Sequence, residues 1–173
     1  MLIKFFKICL QKLRNFILGD FRSKKLSYLI VKKIIKYNKK KFIKILDYGT
    51  GYQPKVVHLV YEKLVKKYKK RILIDCYDFY SKTDLKKLNN FKNKEINFYN
   101  INSIRKNKKN YDFCLINDVI HHIGIEKEEI IVKILNKLIK ISKIVLIKDH
   151  FQQGFVSNNI IRFMDFLGNY FNN

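Results

Sequence analysis

Apolar residues recur at helical spacing through the first forty residues, and basic residues occupy most of the positions between them. The first stripe runs over residues 2–17, and Gly19 and Asp20 are expected to break that helix. A second helix is predicted from about Ser23. Its predicted buried positions are Leu26, Leu29, Ile30, Ile34 and Ile35. We interpret residues 1–40 as an N-terminal helical cap.

From residue 42 onward, short apolar runs alternate with amphipathic segments that are long enough for helices. The runs predict strands at 42–46, 72–77, 96–101, 111–116 and 144–147. The longest helical pattern, at 126–141, has acidic residues early and lysines late, as the helix dipole favours. Strands that alternate with helices form right-handed βαβ units. The pattern therefore predicts an α/β fold, with a Rossmann-like, doubly wound and mainly parallel sheet of about five strands. Residues 41–173 form this core within a single domain.

Polar residues follow the predicted strands at the ends where ligands bind in such a sheet. They are Asp47, Asp78, Asn102, Asn117, Asp118 and Asp149. Because the carboxyl ends of parallel strands meet at one edge, we expect these side chains to belong to one site.

The first of these strand ends carries the sequence Asp-Tyr-Gly-Thr-Gly at 47–51 and opens a helix. Glycines permit a sharp turn and let a ligand approach where a Cβ atom would clash. A phosphate-binding P-loop would need a Gly-Lys-Ser/Thr ending, which this turn lacks. Pro54 stands near the third glycine position of a dinucleotide fold. Asp47 would repel a pyrophosphate and attract a cationic group instead.

Charge and composition change this picture little. The formal net charge is +23, and most of the 37 basic residues are lysines, which accompany abundant Asn, Ile, Phe and Tyr. This composition is typical of an A+T-rich genome, and the lysines are scattered over predicted polar helix faces. We therefore interpret them as solvated surface, and nucleic acid is not expected as a partner.

The cysteines and the apolar runs indicate the cellular compartment in which the protein is expected. Cys9, Cys76 and Cys114 are far apart and form no Cys-x-x-Cys pair, so neither a metal site nor a disulfide framework is predicted. Three reduced, buried thiols fit a cytoplasmic protein. Lysines interrupt every apolar run before it reaches the length of a membrane span, and the N-terminus has no clear signal peptide.

Two segments together resemble the class I S-adenosylmethionine-dependent methyltransferases. Residues 47–51 are similar to the first motif of that family. Residues 111–123, Tyr-Asp-Phe-Cys-Leu-Ile-Asn-Asp-Val-Ile-His-His-Ile, resemble the fourth-strand motif of its small-molecule members. A second-strand acid and a third-strand polar residue stand between them in the expected order. The resemblance covers roughly residues 42–169 and implies S-adenosyl-L-methionine as the cofactor.

Residue by residue, the resemblance implies a cofactor site at the strand ends. Gly49 and Gly51 would lie against the methionine part of the cofactor, and Asp47 would anchor their turn. Asp78 would accept hydrogen bonds from the ribose hydroxyls. Asp75 is the alternative acid, because either of the two could end the second strand.

The third and fourth strands supply the remaining implied cofactor contacts. Asn102 would lie beside the adenine amino group, where the family often has an acid. Asn117 and Asp118 would lie beneath the methionine moiety, near the reacting methyl group.

Histidines and one further acid are the candidates for acid–base chemistry. Adjacent histidines point in different directions, so His121 and His122 are not predicted to share a metal ion. One is expected to pack or cap, and His122 is expected to face the substrate as a base or hydrogen-bond donor. Asp149 and His150, just beyond the fifth strand, are a second candidate pair for a general base, with helix capping as the alternative.

The sequence after the fourth strand bears on the acceptor of the implied methyltransferase. DNA amino-methyltransferases have an Asn/Asp-Pro-Pro-Tyr/Phe turn there, whereas this chain has Asn-Asp-Val-Ile at 117–120. A small-molecule or lipid-like acceptor is therefore expected. The alternatives are a non-catalytic methyltransferase-like domain that acts through a protein or membrane contact, and a basic RNA-binding protein.

Both ends of the chain qualify this interpretation. Residues 2–18 are basic, aromatic and amphipathic, so we expect them to cover the cofactor pocket or, alternatively, to make a peripheral membrane contact. The family sheet continues through two further strands, whereas this chain ends after one more predicted helix around 160–166. We expect either a shortened member of the family or a partner that covers the exposed sheet edge.

Overall fold

A computed structural model describes residues 20–51, 54–89, 94–106, 110–123 and 128–149 of the chain. The predictions for residues 2–18, Cys9, His150 and the helix around 160–166 lie outside these residues. The side chains of His121 and His122 lie outside the description as well. By its internal contacts, Lys24–Asp149 forms one compact unit, which contains the whole sheet.

Helices and strands follow the predicted order along the chain. They are α1 (Asp20–Tyr37), β1 (Phe42–Tyr48), α2 (Lys55–Glu62) with a π-helical continuation (Lys63–Lys67), β2 (Arg71–Asp78), α3 (Lys82–Asn89), β3 (Ile96–Asn100), a 3-10 helix (Ile101–Lys106), β4 (Tyr111–Asn117), α4 (Ile120–Ile123), α5 (Glu128–Ile141) and β5 (Ser142–Lys148).

The five strands form a parallel sheet in the order β3-β2-β1-β4-β5. The predicted doubly wound α/β fold is therefore confirmed. The chain proceeds outward from β1 in one direction through β2 and β3, and then returns to the other side of β1 with β4. Ligands of open parallel sheets bind at such a reversal, outside the carboxyl ends of the two central strands. In this chain those ends are Tyr48 and Asn117.

Successive strand residues point to opposite faces of the sheet, and a separate apolar cluster covers each face. The first cluster joins α1 and α2 to Ile43, Ile45 and Ile74 of the sheet. The second joins Leu46 and Ile116 to α5 and to the 3-10 helix. Because the central strands are covered on both sides, they are apolar almost throughout, as buried parallel strands require.

One prediction for α1 is wrong. Leu29 is 47% exposed, whereas Val31 is buried. The buried stripe is centred on Ile34. At 3.6 residues per turn, Leu29 lies on a different face of the helix from Ile34. The expected break at Gly19 and Asp20 lies at the edge of the described residues, which begin with Asp20 in α1.

Two further observations concern the cysteines and the length of the apolar helices. Cys76 and Cys114 are both buried and free, as expected for reduced core cysteines. Among the described residues, no helix is both long enough and apolar enough to cross a membrane.

Candidate functional site

The turn after β1 requires both of its glycines. Gly49 has φ +79° and Gly51 has φ +74°, a left-handed region that side chains disfavour. Gly49 donates its N–H to the carbonyl oxygen of Tyr77 at 2.8 Å, which ties the turn to β2. A Cβ atom on Gly49 would lie 2.3 Å from Cγ2 of Val119, whereas no described atom lies within 4 Å of a Cβ position on Gly51. The turn is thus packed at Gly49 and open at Gly51.

Asp78, the last residue of β2, holds this turn in place. Its Oδ2 accepts the Gly51 N–H at 2.6 Å, and its Oδ1 accepts the Phe79 N–H at 2.6 Å. Hydrogen bonds from backbone N–H groups to a carboxylate are among the stronger ones in proteins. Asp78 therefore lies beside the glycine turn at the carboxyl edge of the sheet.

Asp75, the alternative acid, lies elsewhere. It is fully buried within β2 and accepts hydrogen bonds from Oη of Tyr111 at 2.7 Å and from Nδ2 of Asn97 at 3.1 Å. These contacts link β2 to the adjacent β3 and, across β1, to β4 inside the sheet. The geometry favours Asp78 over Asp75 as the acid of the site.

Tyr80 is a site residue that the sequence did not predict. Its ring is buried, and its Oη donates to the Gly51 carbonyl oxygen at 2.6 Å. Nδ2 of Asn100 in turn donates to the Tyr80 carbonyl oxygen at 2.7 Å. Burial raises the pKa of Tyr80, so the phenol remains a hydrogen-bond donor at physiological pH. The only sequence signal was an aromatic residue two positions after a strand-end acid, which is weak.

Asp47 lies beneath the turn and is 4% exposed. Asn117 Nδ2 is 3.5 Å from Asp47 Oδ1 and donates to it across the central strands. Burial raises the pKa of Asp47 to about 6, and the negative charge of Asp78 adds to this shift, while hydrogen bonds from Thr50 and Asn117 oppose it. Above that pH, Asp47 and Asp78 together place two negative charges beside the glycine turn.

A cavity of about 550 Å³ lies between α5 and the segment after β3. Tyr48, Phe79, Ile104 and Ile134 supply apolar walls, and Asn102 lies at its edge. Asn102 is exposed, and its backbone N–H donates to Oδ1 of Asn100 at 2.9 Å. Of the predicted site residues, Asn102 lines this cavity, and Tyr48 and Phe79 in its wall are the residues that follow Asp47 and Asp78 in the sequence.

The end of β5 contacts the loop that follows β4. Asp118 has φ +56°, its N–H donates to the Lys148 carbonyl oxygen at 2.8 Å, and its carboxylate pairs with Lys148 Nζ. Oδ2 of Asp149 accepts the N–H of Ile120, the first residue of α4, at 2.6 Å. Asp149 thus makes the helix-capping contact that was the alternative to a catalytic role. Its catalytic role stays a prediction, as do those of His122 and His150.

Several of the predicted residues are linked by hydrogen bonds, directly or through a neighbouring residue. Around the turn, hydrogen bonds join Gly51 to Asp78, Asn117 to Asp47, and Gly49 to Tyr77, the residue before Asp78. Asn102 joins these residues through Asn100 and Tyr80, and Asp118 joins them through β4. Among the described residues, no cluster of three His, Cys, Asp or Glu side chains could hold a metal ion.

No family model matches the sequence, and no curated protein matches it. Solved structures do resemble the fold. Plantazolicin methyltransferase BpumL, in complex with a monoazolic desmethylPZN analog and SAH, aligns with a TM-score of 0.52 at 19% identity, covering 76% of this chain and 47% of that chain. The same enzyme with a pentazolic analog and SAH aligns with a TM-score of 0.51 at 18% identity, covering 80% and 51%. Magnesium protoporphyrin IX methyltransferase (ChlM) from Synechocystis PCC 6803 with bound SAM aligns with a TM-score of 0.49 at 12% identity, covering 75% and 62%.

The match spans about half the length of the BpumL chain. At these identities the likeness concerns the fold, which agrees with the strand order and the parallel pairing described above. The described part of this chain has the fold of the class I S-adenosylmethionine-dependent methyltransferases.

Proposed function

We propose that this chain binds S-adenosyl-L-methionine and transfers its methyl group to a small-molecule or lipid-like acceptor. The observation that carries the proposal is the glycine turn, open at Gly51 and flanked by the carboxylates of Asp47 and Asp78, at the reversal point of the sheet. The fold of a methyltransferase crystallised with SAH adds support.

The chemistry of these residues fits the cofactor. A side chain at Gly51 would project into space that is open among the described residues, so glycine admits a ligand against the backbone there. The sulfonium and the amino group of the cofactor are cationic, and the charges of Asp47 and Asp78 favour them. Asp78 would accept from the ribose hydroxyls, and the apolar cavity beside Phe79 and Asn102 would receive the adenine.

The cofactor, when bound, supplies an activated methyl group on sulfur. This chain's residues then have two tasks, to orient the methyl donor and to exclude water. Orientation of reacting groups can lower a barrier by about 7–11 kcal/mol. A base is needed only for an acceptor that must lose a proton, and His122, Asp149 and His150 remain the proposed candidates for that role.

Titration calorimetry of the full chain with S-adenosylmethionine and with S-adenosylhomocysteine tests the proposal. We expect a dissociation constant well below about 1 mM, which corresponds to about 4 kcal/mol of binding free energy. Absence of binding at millimolar cofactor would contradict the proposed function. Binding without transfer to any acceptor would favour the non-catalytic alternative.

A pair of matched variants locates the site. Asp78→Asn should weaken cofactor binding, because the carboxylate bonds both to the turn and, as proposed, to the ribose. Asp112→Asn is the control, since Asp112 also accepts a backbone N–H, from Lys44, but at the opposite end of the sheet. Equal affinities in the two variants would show that the cofactor binds elsewhere.

A further inference from the structure

The loop Asn117–Ile120 between β4 and α4 is held from the side by the last residue of β5 and the residue after it. Lys148 contacts Asp118 twice, through its carbonyl oxygen, which accepts the Asp118 N–H at 2.8 Å, and through Nζ, which pairs with the carboxylate. Asp149 accepts the N–H of Ile120 at 2.6 Å. We call Lys148 and Asp149 the β5 clamp.

This clamp acts on an unfavourable backbone conformation. Asp118 has φ +56°, in the left-handed region that residues with a Cβ atom populate sparsely. Aspartate tolerates this region better than most residues, but the surrounding structure must still stabilise it. The two side chains of the ion pair are 36% and 26% exposed, for Lys148 and Asp118 respectively, so solvent screens their attraction only in part.

The clamped loop bears directly on the proposed cofactor site. Val119 lies between the two clamped residues, and its side chain packs against Gly49, where it occupies the space that a Cβ atom would need. Asn117 at the start of the loop donates to Asp47. A shift of the loop would therefore alter both the packing on the glycine turn and the partner of the buried carboxylate.

We propose that Lys148 is a positioning residue for cofactor binding, which fixes the Asn117–Ile120 loop against the glycine turn through its contacts with Asp118. The inference rests on the proposed function for its ligand, and on the described contacts for its mechanism. Lys148 acts through Asp118, so its effect should disappear when Asp118 loses its charge.

Lys148→Met removes the charge and keeps an apolar side chain of similar length. Lys143→Met is the matched control, because Lys143 lies on the same strand and also pairs with an aspartate, Asp112, at 3.2 Å and away from the loop. Hydrogen–deuterium exchange of the Asn117–Ile120 amides measures how readily the loop opens, and it requires no ligand. Calorimetry with S-adenosylmethionine measures the cofactor affinity of the site, and thermal unfolding measures the overall stability of each variant.

We expect faster exchange of the loop amides in Lys148→Met and a loss of cofactor affinity of about fivefold, equivalent to about 1 kcal/mol. Lys143→Met should match the wild type in both measurements. Lys148→Arg, which keeps the charge, should recover most of the affinity. In an Asp118→Asn background, Lys148→Met should change the affinity little.

Three results would overturn the inference. Loop exchange in Lys148→Met equal to that of the wild type would show that the ion pair does not hold the loop. An undiminished effect of Lys148→Met in the Asp118→Asn background would show that Lys148 does not act through Asp118. If the wild type binds no cofactor while the loop still loosens in Lys148→Met, the proposed function fails, and the positioning role fails with it.

Discussion

Alanine at Gly49 is the substitution whose cost the structure defines best. Its Cβ atom would lie 2.3 Å from Cγ2, 3.1 Å from Cγ1 and 3.3 Å from Cβ of Val119. Gly49 also has φ +79°, which alanine disfavours. Gly51 has a similar φ of +74°, but no described atom lies within 4 Å of its Cβ position. Comparison of the alanine variants at the two glycines therefore distinguishes the cost of backbone strain from the cost of steric overlap.

Backbone strain and steric overlap are expected to lower the free energy of unfolding by different amounts. Left-handed backbone costs a residue with a Cβ atom about 1–2 kcal/mol. Overpacking against a fixed neighbour adds about 1–3 kcal/mol. Gly51→Ala should thus lower the free energy of unfolding by about 1–2 kcal/mol, and Gly49→Ala by about 2–5 kcal/mol. In the double variant Gly49→Ala with Val119→Ala, the two closest atoms are gone, so a coupling energy of about 1–3 kcal/mol should appear.

Urea unfolding of the wild type, the single variants and the double variant measures these differences. Calorimetry with S-adenosylmethionine on the same proteins should show weaker binding for both alanine variants. Equal destabilisation by Gly49→Ala and Gly51→Ala, or additivity of Gly49→Ala and Val119→Ala, would refute the packing of Val119 on the turn.

Three further predictions concern the neighbours of the turn and the N-terminus. Tyr80→Phe removes the donor to Gly51 and should cost about 1 kcal/mol of unfolding free energy, measurable in urea, and should weaken cofactor binding; unchanged affinity would contradict its role in the site. Asp47 has its pKa raised from 3.8 to about 6 in the folded state, so its stabilising contribution is full below pH 3.8 and is lost as the pH rises through about 6. Asp47→Asn should therefore raise the unfolding free energy at pH 7, by up to about 3 kcal/mol, and flatten its dependence between pH 4 and 7; a pH profile identical to that of the wild type would contradict this. Removal of residues 1–18 should abolish flotation with anionic liposomes if they make the proposed membrane contact; equal flotation with and without them would dispose of that idea.

The sheet and the acids at its edge could be predicted because they follow from local patterns. Buried parallel strands such as 111–116 are nearly continuous apolar runs, interrupted here by Asp112, and the polar residues that end them stand out. The sequence predicts Asp47 and Asp78 as site residues in this way. Their proximity follows from strand order alone, since β1 and β2 are neighbours in the sheet.

The contacts that hold the site could not be predicted, because they depend on tertiary packing. Tyr80 and Lys148 are ordinary residues by sequence, and only the positions of Gly51 and Asp118 give them partners. The choice between Asp75 and Asp78 also stayed open, since both acids follow apolar residues in one run. Their contacts in the fold differ, since Asp75 bonds inside the sheet whereas Asp78 reaches the turn, and this supports the proposal that Asp78 is the acid of the site.

A crystal structure of the full chain with S-adenosylhomocysteine tests the central claim most directly. We expect the ribose hydroxyls on the Asp78 carboxylate, the backbone of Gly51 against the amino-acid part, and the adenine in the cavity beside Phe79 and Asn102. A ligand bound away from the glycine turn, or a turn that stays empty at saturating ligand, would contradict the account.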